Sequence, residues 1–281
     1  MPSNANNGSL LERGHLTSVG VRQWPARDVQ RRTVSLVIPA RNEARNLPWV
    51  LERIPDCVDE VILVDGFSTD ATVAMAEFCR PTIRRVNQKR RGKGAGLLAG
   101  FEAAKGDYVL MIDADGSMDP EEIPRYIWYL DHGFDFVKGS RFVAGGGSLD
   151  ITPLRRLGNW GLMLIAKSRF GAELTDLCYG YCGFHRRWLP SLALSASGFE
   201  IETEMTLHAI TAGLRIAVVP SLEAPRRSGQ SNLRTFRDGW RVLRTILRTP
   251  PRRPSIVEPG RPQSPSAAAM HALSEASEAA G

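Results

Sequence analysis

The sequence predicts an α/β fold, a mostly parallel sheet with helices on both faces, and three observations carry that expectation. Short apolar runs rich in β-branched residues recur between helix-compatible segments. Each run is nearly continuous rather than alternating, as strands covered on both faces are. Polar residues gather directly after the runs, at what would be the carboxyl ends of strands, where open α/β sheets bind ligands.

Thr33 to Ile38 is the first run, stopped by Pro39, and a helix follows from about Asn46 to Ile54. Glu60 to Val64 is the second, ending at Asp65, and Gly66-Phe-Ser-Thr-Asp70 leads into a helix from Ala71 to Cys79. The third lies near Thr82 to Val86 and passes through Gln88 to Gly94 into a small-residue helix, Ala95 to Ala104. Tyr108 to Ile112 is the fourth, with a helix beginning near Asp119. Phe136 to Arg141 and Leu214 to Val219 read as further strands, and Arg155 to Phe170, the segment from Phe199, and Leu233 to Arg248 as helices. Residues 1–31 are polar and aperiodic, and 250–281 are rich in Pro, Ser and Ala, so a disordered leader and tail are expected around one domain at 32–249.

The 281 residues are 43% hydrophobic and 23% charged, ordinary for a packed globular chain. The net charge of +6 rests on arginine, which suits anionic partners such as phosphorylated substrates or an anionic membrane surface. No nucleic-acid partner is expected. Cysteines 57, 79, 178 and 182 show no Cys-x-x-Cys spacing, which points to free thiols and no zinc site. No window approaches the roughly 18 apolar residues of a membrane span, and no signal pattern opens the chain, so a cytoplasmic protein is expected.

The chemistry concentrates at Asp113 and Asp115. Residues two apart on extended chain project to one side, and two carboxylates so placed can hold Mg²⁺ or Mn²⁺ with positions left for phosphate oxygens. The competing reading makes Asp113 a helix cap and Asp115 a turn residue. Asn42 and Glu43, Asp65 and Lys93 fall after three other strands, so four strand ends would supply polar groups to one edge. Each also has a local reading: helix entry for Asn42 and Glu43, turn chemistry for Asp65, a solvated cation for Lys93. Gly92-Lys-Gly94 lacks the Walker spacing and reads as a cation on a flexible loop near a diphosphate.

In order, Val37-Ile-Pro-Ala-Arg-Asn-Glu43, Val64-Asp-Gly-Phe-Ser-Thr-Asp70, Gly92-Lys-Gly-Ala95, Asp107 to Asp115 and Gly139-Ser-Arg141 resemble the motifs of the family 2 glycosyltransferases of the GT-A fold. The resemblance covers about residues 33 to 247, and within the family the chain is most similar to the dolichyl- and polyprenyl-phosphate sugar synthases. It implies a Rossmann-like sheet with a smaller acceptor-side subregion, and an inverting transferase that uses a nucleoside-diphosphate sugar and a divalent metal. A lipid phosphate or a glycan would be the acceptor. Carried over position by position, Pro39, Ala40, Asn42, Glu43 and Asp65 would line the nucleoside pocket, and Lys93 would lie near the base or phosphates. Asp113, Ala114 and Asp115 would hold the diphosphate, the two carboxylates through the metal. Residues 32–117 then form the nucleotide-sugar half and 118–233 the acceptor half, with Asp115, Arg141 and Glu202 nearest the chemistry. That chemistry asks for such groups independently, because a departing diphosphate gathers negative charge while the sugar becomes oxocarbenium-like.

On the acceptor side Arg141, Arg155 and Arg156 resemble the family's anion-binding arginines, although the latter two also read as exposed residues at a helix start. Cys178 and Cys182 read as packing residues. Glu200 and Glu204 share one helix face and Glu202 another. Glu202 or Glu200 would serve as general base for a hydroxyl acceptor, whereas a phosphate monoester needs none, and first-turn acids also favour the helix dipole. Pro225 to Leu233 looks like the family's closing loop, with Arg226, Arg227, Ser228 and Ser231 as donors. The last helix, 233–249, sets Arg234, Arg237, Arg241, Arg244 and Arg248 beside a stripe of Leu233, Phe236, Trp240, Leu243 and Leu247. Such a helix either lies peripherally on an anionic bilayer or packs its stripe on its own domain.

The chain departs from the family pattern at Gly66, where a second acid is common, at Gly116-Ser117, where Leu-Gln is frequent, and at Asn232, where lysine is usual. Two other activities fit parts of the pattern: a family 2 transferase acting on a hydroxyl of a polysaccharide or secondary metabolite, and a sugar nucleotidyltransferase. The latter calls for a glycine-rich basic loop after the first strand, and Pro39-Ala-Arg-Asn-Glu43 has no glycine.

Overall fold

The computed structural model describes residues 31–171, 175–230 and 233–251. The expected leader and tail fall almost wholly outside these residues, as does Ser231.

The chain alternates as its apolar runs require. β1 (Val34–Ala40) is followed by α1 (Leu47–Glu52), β2 (Glu60–Asp65) by α2 (Thr72–Cys79), and β3 (Arg84–Asn87) by α3 (Lys93–Ala103). Next come β4 (Tyr108–Met111), α4 (Ile123–Asp131), β5 (Phe136–Ser140), a two-residue β6 (Gly147–Ser148) and the long α5 (Pro153–Phe170). The remainder comprises β7 (Cys182–His185), α6 (Leu189–Leu192), α7 (Ile201–Thr211), β8 (Ile216–Pro220), β9 (Leu222–Glu223) and α8 (Thr235–Arg248). Seven strands form one sheet in the order β3-β2-β1-β4-β7-β5-β8, parallel throughout except for β7, which runs against both neighbours. β6 and β9 make a separate small ladder.

Alternate residues of the central strands feed two cores. Leu36 and Ile38 pack on the side of α1, α2 and α4, while Val37 packs on the side of α3 and α7. α3 lies close because it is built of small residues: a Cβ at Gly100 would sit 2.4 Å from Val37 Cγ1. In the second core Phe184 of β7 meets Phe101 edge-on at 5.3 Å and stacks with Phe136 at 6.2 Å. Cutting such a side chain to alanine costs about 3–5 kcal/mol. A third core joins α5, α7 and α8 through Met163, Phe170, Leu207, Val242 and Ile246.

Several expectations are corrected. Pro39 does not stop β1: it pairs in register with Val64, and β4 leaves that side of β1 after the Val37–Met111 pair, so the missing N–H of proline costs no ladder bond there. β4 ends at Met111, which puts Asp113 and Asp115 in the turn beyond the strand. α3 begins at Lys93 rather than Ala95, with Gly92 preceding it at φ 120°. β7 was not expected, and Cys182 is a buried strand residue. The apolar stripe of α8 does not pack on the domain, because the buried side is Asp238, Val242 and Ile246 while Phe236 and Trp240 are 82% and 66% exposed.

Candidate active site

A cleft of about 660 Å³ opens over the carboxyl ends of β1 and β4, and Pro39, Ala40, Glu43, Lys93, Asp113, Ala114, Asp115, Arg141, Arg155, Glu202 and Arg226 all line it. The parallel order of β2, β1 and β4 delivers their following loops to one edge, which is why residues far apart in sequence converge there.

Two cations organise the acidic side. Lys93, at the first turn of α3, places Nζ 2.6 Å from Asp113 and 2.6 Å from Glu202, and all three side chains are largely withdrawn from water. Lys93 is therefore a fixed buried clamp, not a flexible-loop cation. Burial alone would lower its pKa, yet the charges of Asp113 and Glu202 outweigh that and raise it above the lysine range. Glu202 is pushed upward by desolvation, opposed by Lys93 and reinforced by the like charge of Asp113. Arg226 is the second clamp: Nη1 donates to Asp115 at 3.1 Å, Nη2 bonds Glu43, and Nε donates to the Ser228 carbonyl at 2.7 Å. Burial raises the carboxyl of Glu43, with Arg226 pulling it back. Asp115 also accepts from the Ser117 hydroxyl at 2.7 Å, which fixes the turn.

Glu43, Asp113, Asp115 and Glu202 thus share two counter-ions, Lys93 and Arg226. Among the described residues no three His, Cys, Asp or Glu side chains gather into a protein-only cage. The donor set therefore fits a cation held by Asp113 and Asp115 that takes its other ligands from phosphate oxygens and water, as Mg²⁺ commonly does.

Other sequence-derived site residues sit elsewhere. Asn42 adopts φ 59° and accepts from the Thr69 backbone N–H at 2.8 Å, joining two sheet-end loops outside the cleft lining. Asp65 likewise receives Ser68 N at 3.2 Å and does not line the cleft. Arg141 commits its guanidinium to Asp176, at 2.7 and 3.0 Å, and to Glu223 at 3.1 Å, so it braces the cleft wall instead of standing open for an acceptor phosphate. Arg155 lines the cleft and donates to Thr235 Oγ1 at 3.4 Å, but Arg156 is exposed beside Phe142. Arg227 stacks over Trp49, 4.7 Å from the ring centroid, outside the lining, while its backbone N–H donates to the Asp115 carbonyl. Ser228 contributes its carbonyl, which also accepts from Asn46 Nδ2 at 3.1 Å. Of the three acids on α7 and its entry, Glu204 caps Ser195 and Ala196, Glu200 accepts from Gly198 N, and only Glu202 reaches Lys93. Desolvation pushes the thiols of Cys178 and Cys182 up to about 12, in keeping with packing residues.

Arg41, Gln88 and Arg91 also line the cleft and were missed. The position of Arg41 and Gln88 directly after β1 and β3, with Arg91 in the loop that follows β3, was the available signal. Asp176 opens a segment, Asp176 to Phe184, that resembles a family motif, but nothing local told that it and Glu223 are the counter-ions of Arg141, 35 and 82 residues away.

This mostly parallel sheet with its cleft at the strand ends has the GT-A fold. The family model for glycosyl transferase family 2 matches residues 35–192. The chain belongs to that family. It is 35% identical over 236 residues to the polyprenol monophosphomannose synthase of Mycolicibacterium smegmatis, covering 76% of this chain and 86% of that one. It is 31% identical to the undecaprenyl-phosphate mannosyltransferase of Micrococcus luteus, covering 71% and 87%. Among solved structures it resembles glucosyl-3-phosphoglycerate synthase from Mycobacterium tuberculosis, crystallised with Mn²⁺, UDP and glucosyl-3-phosphoglycerate, at TM-score 0.61 and 26% identity over 77% of this chain and 79% of that one.

Proposed function

We propose that this glycosyltransferase inverts the anomeric centre of a hexose as it moves the sugar from a nucleoside diphosphate to a polyprenyl-phosphate-type lipid, with Mg²⁺ or Mn²⁺ held by Asp113 and Asp115. The observation that carries the reading is the pair Asp113 and Asp115, two residues apart in the turn after β4, lining a cleft whose far end is walled by leucines and arginines. When bound, the cation offsets charge on the departing diphosphate. Pro39, Ala40 and Glu43 border the nucleoside, and Arg226 closes over it and excludes water. A phosphate acceptor is already nucleophilic, so no base is required of Glu202, and its work is to hold Lys93 beside Asp113.

The relatives named for polyprenyl- and undecaprenyl-phosphate support the lipid acceptor. No described helix is long and apolar enough to cross a membrane. The outward stripe of α8, with Phe236 and Trp240 exposed beside its arginines, supports peripheral contact with an anionic bilayer at the cytoplasmic face of the cell membrane. A hydroxyl acceptor is the second reading, favoured by the buried carboxylate of Glu202 and the likeness to glucosyl-3-phosphoglycerate synthase; Glu202 would then be the base.

Calorimetric titration with UDP, GDP and dTDP, with and without Mn²⁺, tests the donor side. Metal-dependent binding to one of them, lost in Asp115→Ala, is expected; undiminished, metal-independent binding in that variant rejects the assignment. Product capture on polyprenyl phosphate, or on soluble sugars, then separates the two acceptors.

A further inference from the structure

The segment that brings Arg226 over the cleft has to be rooted before it can close. It leaves the sheet at Pro220, the last residue of β8, and Arg226 follows after a stretch of about 20 Å at full extension, so a shift of the root passes to Arg226 almost undamped. Hydrogen bonds from the turn after β4 and from α4 hold that root. Arg125 Nη1 donates to the Pro220 carbonyl at 2.8 Å, the Ser221 hydroxyl to Glu122 Oε2 at 2.5 Å and Leu222 N to Glu122 Oε1 at 3.2 Å, while Ala224 N donates to the Ser117 carbonyl at 2.9 Å.

Glu122 is the centre of this anchorage, and both its neighbours in space belong to the site. It ends the short turn Pro120–Glu122, which is capped by Asp119 accepting from Glu121 N at 3.1 Å and held by the Tyr181 hydroxyl donating to the Asp119 carbonyl at 3.0 Å. That turn continues directly from Asp113–Ser117. On the other side the Ser221 hydroxyl also meets the Tyr179 hydroxyl at 3.0 Å, and the buried Lys138 donates to the Tyr179 carbonyl. Tyr179 leads into Gly180, where a Cβ would stand 2.9 Å from Glu202 Oε1 and 3.1 Å from Lys93 Nζ. Burial pushes the carboxyl of Glu122 up, and Ser221 and Leu222 pull it back, so it is a bonded group withdrawn from water and not a solvated surface acid.

We propose that Glu122 is a positioning residue for sugar transfer: it ties the root of the closing segment to the turn that bears Asp113 and Asp115, and so sets how far Arg226 reaches toward Asp115 and Glu43. This role rests on the transferase reading above and adds what gives the closed cleft its dimensions. Glu122 does not line the cleft, so its influence passes through Ser221, Leu222 and the segment they carry. A misplacement of about 1 Å caused from such a distance can cost about 100-fold in rate.

Glu122→Ala and Glu122→Gln in the full-length chain provide the test, with two readouts. Brief trypsin digestion followed by mass spectrometry compares cleavage after Arg226 and Arg227 with cleavage after Lys89 and Arg90, which are exposed in the loop after β3. Loss of the two bonds raises the ratio of the first to the second about tenfold in Glu122→Ala. In Glu122→Gln it stays within about twofold, because the amide nitrogen donates to Ser221 Oγ while the oxygen still accepts from Leu222 N. The second readout is sugar released to water against sugar transferred to polyprenyl phosphate, from whichever of UDP-, GDP- or dTDP-hexose the wild type uses. Glu122→Ala raises that ratio about tenfold, Glu122→Gln restores it, and in the Arg226→Ala background Glu122→Ala adds nothing further. Cleavage that is unchanged or rises equally at both sites, or a hydrolysis effect that multiplies with that of Arg226→Ala, overturns the anchor and leaves the transferase standing. A wild type that neither transfers nor hydrolyses any of the three donors overturns the transferase reading and, with it, the role given to Glu122.

Discussion

Lys93→Met removes the cation that bridges Asp113 and Glu202, and it leaves two like charges facing each other in a poorly hydrated place. Breaking a buried ion pair from one side costs about 3–5 kcal/mol. Asp113 keeps a quarter of its side chain in water, so the low end, about 3 kcal/mol, is expected. In urea that moves the midpoint down by about 1 M or more. The sign of the pH dependence follows from the two shifts. Lys93 is raised in the folded protein, so its contribution is complete below the ordinary lysine value of 10.5 and is lost as pH rises past it. Glu202 is raised above 4.5, so the penalty in Lys93→Met is full where Glu202 is ionised and shrinks as pH falls and that carboxyl takes up its proton. Urea melts at about pH 8 and about pH 5 therefore show the larger destabilisation at the higher pH. Adding Glu202→Gln to Lys93→Met removes one of the opposed charges and recovers about 1–3 kcal/mol. A loss below about 1 kcal/mol, independent of pH and strictly additive with Glu202→Gln, would refute the clamp.

Arg226→Ala frees Asp115 and Glu43 from the closing loop; nucleoside-diphosphate affinity falls about five- to hundred-fold, and donor hydrolysis rises relative to transfer, both measurable by calorimetry and product analysis. Alkylation of the native protein with iodoacetamide at neutral pH, read by mass spectrometry, modifies the exposed Cys79 and spares Cys178 and Cys182, whose thiols sit near 12; prompt labelling of Cys182 would contradict its burial. Replacing Phe236 and Trp240 together with serine leaves stability within about 0.5 kcal/mol, because neither side chain packs inward. The same change weakens sedimentation with anionic vesicles, and unaltered vesicle binding would remove α8 from the membrane contact.

What the sequence discloses is the part written locally. β1, β2 and β4 announce themselves because strands covered on both faces are apolar throughout. Asp113 and Asp115 were visible because their spacing and the run before them lie in a single stretch. β7 was not, since Cys182-Gly-Phe-His185 is too short and too mixed to be recognised, and only its place between β4 and β5 makes it a strand. The clamps were hidden for a related reason. Nothing near Arg226 indicates that it meets Glu43, 183 residues away, and nothing near Lys93 points to Glu202, 109 residues on. In α8 the richest apolar stripe turned out to be the outer one, because Val242 and Ile246 with the small α5–α7 core suffice to seat the helix. Hydrophobic periodicity finds a helix without saying which of its sides is inside.

The reversed strand β7 also bears on how the chain can be made. β4 gains its second neighbour only when residues 182–185 leave the ribosome, some seventy positions after β4 itself. Until then the nascent polypeptide presents an unpaired, wholly apolar ribbon edge, a template for association with other unfinished chains. A gene fragment ending before that point should yield insoluble product, and chaperone capture during synthesis should peak in that interval.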